Sequence, residues 1–211
     1  LFRSLAIACH GDVNSVAVFT RVPMDRVRRL ALDRSSRSSV GLVRVLCRHH
    51  FGIDPEFVEA EPDLAAMLDE ADAALLIGDP ALDAPWQALG ATRIDLGDAW
   101  LAYTGLPFVF AAWIARPGVL TPAITALLQE AARAGRRAIP ALALEHARGD
   151  AARADRLEHY LRANIRYDLD DDALRGLVHY LTLAMHDGLA PSRPDVLTAI
   201  EAFRAHAATG R

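Results

Sequence analysis

Residues 29–47, RLALDRSSRSSVGLVRVLC, carry the pattern that decides the fold class. Leu30, Ala31 and Leu32 form a short apolar run, 33–37 a polar turn rich in hydroxyls, and an amphipathic helix begins near Ser38. Val40, Val43 and Leu46, with Leu42 and Cys47 beside them, recur at helical spacing and mark one face that packs on a sheet. A strand running through serines into a helix is a natural anion site, because first-turn N–H groups lack intrahelical partners and the helix dipole favours negative charge there. Ser36, Ser38 and Ser39 add hydroxyl donors, and Arg37 adds a planar fork matched to a carboxylate. The plainer reading is that one serine caps the helix and the arginines are solvated. The stretch by itself leaves both open.

On either side the chain repeats this alternation. Residues 5–9 (LAIAC) read as a strand, 10–14 (HGDVN) as the turn after it, and 15–20 (SVAVFT) as a second strand with a hydroxyl at its start. A helical turn follows over 23–28, with Pro23 suited to a first helical position. Beyond the central strand and helix, 55–60 is extended, Asp63 caps a helix through Leu68, and 73–77 (AALLI) is an apolar strand stopping at Gly78-Asp79-Pro80. Short apolar strands alternating with helices predict an α/β layer structure with a mainly parallel sheet. In such sheets ligands gather where strands end at their carboxyl side. Three turns therefore compete for a site: 10–15, 35–39 and 78–79. They offer His10, Gly11, Asn14, Ser15, the serine cluster with Arg37, and the carboxylate of Asp79.

Farther along, 95–104 reads as a helix capped by Asp95 or Gly97 and ended by Gly105, and 107–115 as a long buried strand. Trp100 and Tyr103 share a helix face and, like Phe108, Phe110 and Trp113, read as packing. From Thr121 onward helices are predicted over 122–144, 151–163, 171–185 and 194–207, with short Gly, Asp or Pro breaks. No linker or repeat separates this helical part from the α/β part, so the helices are expected to wrap the sheet.

Composition narrows the function. At 211 residues and 52% hydrophobic, the chain buries a sizeable core. Net charge is −4, and the basic residues are scattered arginines, which leaves no electrostatic footprint for nucleic acid or an anionic membrane. The longest apolar run, 106–115, is too short for the roughly 20 residues of a membrane span. Cys9 and Cys47 lie far apart without a CxxC, so neither a disulfide framework nor a zinc site is indicated and a reducing cytosol is the default. His179 and His186 sit seven apart, a poor zinc spacing, and His49 and His50 suit the carboxyl end of a helix as favourable charges. The acidic run 168–172 lacks the glycine and closing glutamate of a calcium loop. Dinucleotide, Walker and serine-hydrolase motifs are missing, and no cofactor or metal is expected. Because 5–9 already reads as an interior strand, a further segment ahead of Leu1 is expected.

Four motifs in order carry a resemblance covering nearly the whole chain: LALDRSSRSSVGLVRVL (30–46), ALLIGDPAL (74–82), DLGDAWLAYTGLPFVFAAWIARPG (95–118) and YLRANIRYDLDDDAL (160–174). Together they resemble the chorismate dehydratases of the futalosine route to menaquinone. The resemblance implies a type II periplasmic-binding-protein-like fold, two α/β lobes closing on a ligand, in a cytosolic enzyme. One lobe would comprise 1–21 and 107–211 and the other 22–106, with crossings near 15–20 and 107–115 and the C-terminal helices packed on the first lobe. Members of that family begin with a segment bearing a tyrosine- or phenylalanine-leucine-asparagine motif, which this sequence does not contain.

The implied chemistry fits the turns. Chorismate carries two carboxylates on a cyclohexadiene, and loss of water aromatises the ring to give 3-[(1-carboxyvinyl)oxy]benzoate. Such an enzyme needs positioning, anion stabilisation and a route for one proton, and no cofactor. The expected roles place Ser36, Arg37, Ser38 and Ser39 on one carboxylate, with His10, Gly11 and Asn14 lining the site. Ser15 would donate to the second carboxylate or the leaving hydroxyl. For the base, Asp79 stands beside a hinge-orienting or turn-capping role for the same residue, His10 comes after it, and the substrate's own enolpyruvyl carboxylate is a third option. A solute-binding protein for a small carboxylate and the paralogous 1,4-dihydroxy-6-naphthoate synthase are the rival readings. Phe108-Val109-Phe110-Ala111-Ala112-Trp113 matches the dehydratase version of the crossing strand better.

Overall fold

The apolar run at 30–32 becomes β3 (Arg29–Asp33), an inner strand of a five-stranded sheet. The computed structural model describes residues 5–116, 118–198 and 200. Parallel partners flank β3, with β4 (Glu56–Ala60) outside it and β5 (Ala73–Ile77) inside. Parallel neighbours need crossovers, which α1 (Arg37–Leu46) and α2 (Leu64–Glu70) supply from opposite faces. Alternate residues feed the two layers. Leu30, Leu32 and Leu75 pack with Leu42, Val43 and Leu46 of α1, whereas Ala31, Ala74 and Leu76 pack with Leu64, Met67 and Leu68 of α2.

The sheet then reverses. Strand β2 (Val16–Thr20), buried throughout, runs antiparallel to β5 on one side and to β6 (Thr92–Asp95) on the other. The sheet is therefore mixed, which corrects the expectation of a mainly parallel one: the order is β4-β3-β5-β2-β6, with β2 opposed to both its neighbours. A run buried on both faces, as VAVF is, reads identically in either direction. Strand β6 was not expected at all, because TRID is short and mostly polar.

Helix α4 (Leu96–Thr104) follows β6 directly and is capped by Asp95, whose carboxylate accepts from the Gly97 and Asp98 amides. Gly105, at φ 69°, takes the left-handed conformation that ends it. Trp100 is fully buried and donates its indole N–H to the Pro107 carbonyl at 3.2 Å. Beyond it β7 (Phe108–Ala112) pairs antiparallel with β1 (Ala6–Cys9) in a separate two-stranded sheet. The expected long buried strand over 107–115 is thus shorter and only partly covered. Phe108 and Val109 are buried, whereas Trp113 is 56% and Ile114 80% exposed.

Helix α7 (Asp171–His186) lies on β7, with Leu174 buried against Val109 in a cluster of its own. Helices α5 (Pro122–His146) and α6 (Ala151–His159) pack on each other and reach the large sheet through Leu82 of α3 (Gly78–Leu82), a short helix that the sequence reading takes as a turn. The helices therefore do not wrap the sheet uniformly. A last helical stretch begins at 194, and its expected end at 207 lies outside the described residues. No described helix is long and apolar enough to cross a membrane.

Candidate active site

Four strand ends meet at one edge of the large sheet: the carboxyl ends of β3, β5 and β6 and the start of β2. All three turns singled out in the sequence lie along this edge, and one buried carboxylate organises the middle of it. Asp95, 8% exposed, accepts from the Val13 amide at 3.0 Å and the Asn14 amide at 2.8 Å while capping α4. Arg93 bridges Asp95, at 2.7 Å, and the Asn14 side-chain oxygen, at 2.8 Å. This clamp holds Asn14 at φ 60°, a left-handed conformation that asparagine tolerates better than most side chains.

Ser15 comes next and is 5% exposed. Its Oγ accepts a hydrogen bond from the Tyr160 phenol at 3.0 Å, and its carbonyl accepts from the Gly78 amide at 2.7 Å. Tyr160 opens a π turn (Tyr160–Asn164) that closes α6 and also brings Asn164 to the site, where its amide donates to Asp12 Oδ1 at 2.7 Å. Burial raises the Tyr160 phenol above its ordinary value, the Ser15 bond opposes this, and the nearby Asp79 charge adds to it. At neutral pH the phenol is a donor. Asp79 itself is half-exposed and bonds His146 Nε2 of α5 at 2.9 Å.

Two adjoining cavities flank this group, of about 440 and 540 Å³, and Leu82, Leu157 and Tyr160 border both. The first also has Asn14, Arg93, Arg153, Arg156 and Asn164 in its wall, and the second has Asp79 and His146. Arg153 is paired to Asp83 at 2.7 Å, whereas Arg156 is exposed and makes no ion pair among the described residues. Asn164 Oδ1 is buried without a hydrogen-bond partner, leaving an acceptor open at the cavity wall. The arrangement can hold an anion on guanidinium groups and pass a proton through Tyr160 and Ser15.

The serine cluster lies on the same edge but is turned inward on itself. Ser36 caps α1 by accepting from the Ser39 amide at 3.3 Å and donates to Ser39 Oγ at 3.0 Å, with Ser38 Oγ 3.4 Å away. The cap of the plainer reading is therefore present at Ser36. Arg37 is exposed with no ion pair among the described residues. Ser38 faces a third, largely apolar cavity of about 570 Å³ beside Phe110 and Tyr180, not the pair around Tyr160. Of the other expected residues, Gly11 is buried at φ 100° where a side chain would approach Asp98, and His10 is exposed. Asp33 Oδ2, at the end of β3, is buried without a partner.

Sequence reasoning missed Tyr160, Asn164, His146 and the arginines 93, 153 and 156. Tyr160 and Asn164 fall inside the motif at 160–174, but nothing in their spacing announces contact with residues 145 and 152 positions away. Within the described residues, the grouping of side chains able to ligate one ion lies elsewhere, at His49, His186 and Asp187.

Residues 1–186 match the family model described as menaquinone biosynthesis. The chain belongs to that family. It is also 32% identical over 193 residues to a protein of Thermus thermophilus named chorismate dehydratase, across 84% of this chain and 70% of that protein. In this member of the menaquinone-biosynthesis family, the motifs at 74–82 and 160–174 converge on one place, since Asp79 and Tyr160 border the same cavity.

Proposed function

We propose that this protein is a chorismate dehydratase, a hydro-lyase of menaquinone biosynthesis acting in the cytosol on the futalosine route. The carrying observation is the hydrogen bond from Tyr160, which borders both the arginine-bearing cavity and the cavity beside Asp79, to the buried Ser15 behind it, in a chain of this family. The reaction breaks one C–O bond and one C–H bond of the ring, releases water and leaves an aromatic product. It is redox-neutral and demands no electron carrier. Arg156, with Arg93 and Arg153 behind it, binds a substrate carboxylate; Ser15, backed by the Tyr160 phenol, donates to the departing hydroxyl. Asp79, oriented by His146, or the substrate's enolpyruvyl carboxylate takes the ring proton. In this proposal β1, β7 and the C-terminal helices belong to one lobe of a periplasmic-binding-protein-like fold, and most of the five-stranded sheet to the other.

The test is incubation of the purified protein with chorismate, following loss of diene absorbance and the product mass. A species lighter by one water is the expected result. Chorismate left unchanged overturns the dehydratase reading, and if it nevertheless protects the protein against thermal unfolding, the solute-binding reading replaces it.

A further inference from the structure

The π turn Cys47–Phe51 at the end of α1 and the carboxyl end of α7 converge, and three ligating side chains meet there. His49 Nε2 lies 2.9 Å from Asp187 Oδ2, His186 Nδ1 lies 3.1 Å from Asp187 Oδ1, and all three ligand atoms fall within 4.8 Å of one another. A tetrahedral zinc centre sets its ligand atoms roughly 3.3 Å apart, from metal–nitrogen distances of about 2.0–2.1 Å. The triangle is therefore close to ion-binding size. We propose that His49, His186 and Asp187 form a site for a first-row divalent ion of the zinc class.

Three features support this beyond proximity. The Asp187 side chain is 2% and that of His49 21% exposed, so two ligands are fixed by packing, while His186, at 78%, leaves one side open to an arriving ion. The cluster sits where two helical segments end, and helix carboxyl ends favour a cation. Two imidazoles and one carboxylate suit borderline divalent ions and leave a position for water. Arg48 is the resident competitor, 3.2 Å from Asp187 Oδ1, but half its side chain is exposed and free to turn outward. None of these residues borders the cavities around Tyr160. His49 and Asp187 are 138 positions apart, so a bound ion would staple α1 to α7 and stabilise the folded chain by mass action.

The site is tested by titrating the protein with Zn²⁺ alone, reading thermal unfolding and calorimetry, and with Co²⁺, whose visible spectrum reports coordination geometry. The expected result is one ion per chain and a rise in melting temperature. H49Q and H186Q should each weaken binding by more than about tenfold, at least the loss seen for outer-shell changes. H186Q alters a mostly exposed side chain and keeps the fold. R48Q should tighten binding by about tenfold, since a charge-assisted hydrogen bond no longer occupies the carboxylate. H50Q should leave it unchanged, because that ring faces Phe51 and Tyr103. Zinc affinity that survives both H49Q and H186Q, or no saturable binding by the wild-type and R48Q proteins, overturns the proposal.

Discussion

Asp95 accepts hydrogen bonds from four backbone amides and one guanidinium while almost wholly buried. Removing one partner of a buried, charge-assisted set leaves the others unsatisfied. Asp95→Ala should therefore cost about 3–5 kcal/mol of unfolding free energy in a denaturant melt. Ser15→Ala and Tyr160→Phe should behave in the opposite way. Each is expected to lower turnover of chorismate by at least about tenfold if the hydroxyl pair carries a proton. Each should cost only about 1 kcal/mol of stability, one hydrogen bond. Turnover unchanged in both variants would remove the pair from the mechanism. At this scale the sequence was half legible. Ser15, Asn14 and Asp79 could be singled out because they stand in turns beside apolar strands, whereas Tyr160, Asn164 and His146 reach the same edge from distant helices, and no local pattern records that.

Among elements, the tightest approach involves α7. A Cβ at Gly176 would overlap the Pro107 carbonyl, which is backbone and cannot rotate away. Gly176→Ala should push α7 off the segment leading into β7 and cost about 1–3 kcal/mol, seen as a lower denaturation midpoint. The strands and helices themselves were readable from periodicity: β3, β5, α1, α2 and α4 fall close to where apolar spacing puts them, and Ser36, Asp63 and Asp95 cap as their residue types predict. What periodicity could not convey was strand direction. β2 is buried on both faces, and β6 offers too little apolar surface to announce itself.

Across the whole molecule, the two thiols report on the main core. Cys9 and Cys47 lie in one cluster with Leu30, Val43 and Trp100, and burial pushes each thiol from its ordinary 9.0 up to about 12. Neither should react with a thiol reagent near pH 8 until the chain unfolds, and the two should react at one common rate. Early labelling of either would contradict the shared core. The same shifts set an alkaline limit. Between pH 9 and about 12 the folded state holds thiol protons that the unfolded chain releases, so this part of the stability is complete below pH 9 and declines as pH rises through that window. A urea midpoint falling over that range, and less so in the Cys47→Ala variant, is the expected observation. The α/β class was legible from the alternation of short apolar runs with helices. The separation into a five-stranded and a two-stranded sheet was not, because β1 and β7 pair across almost the whole intervening chain.

The Asp95 carboxylate also ties the loop ahead of Ser15 to a helix in time as well as in space. The Val13 and Asn14 amides share their acceptor with the Gly97 and Asp98 amides, so the loop carrying Ser15 cannot loosen without exposing the first turn of α4. Hydrogen exchange should find these four amides opening together, with a single protection factor. A substrate that quiets Ser15 would then slow exchange at Gly97 and Asp98, which, like Ser15 itself, border neither cavity.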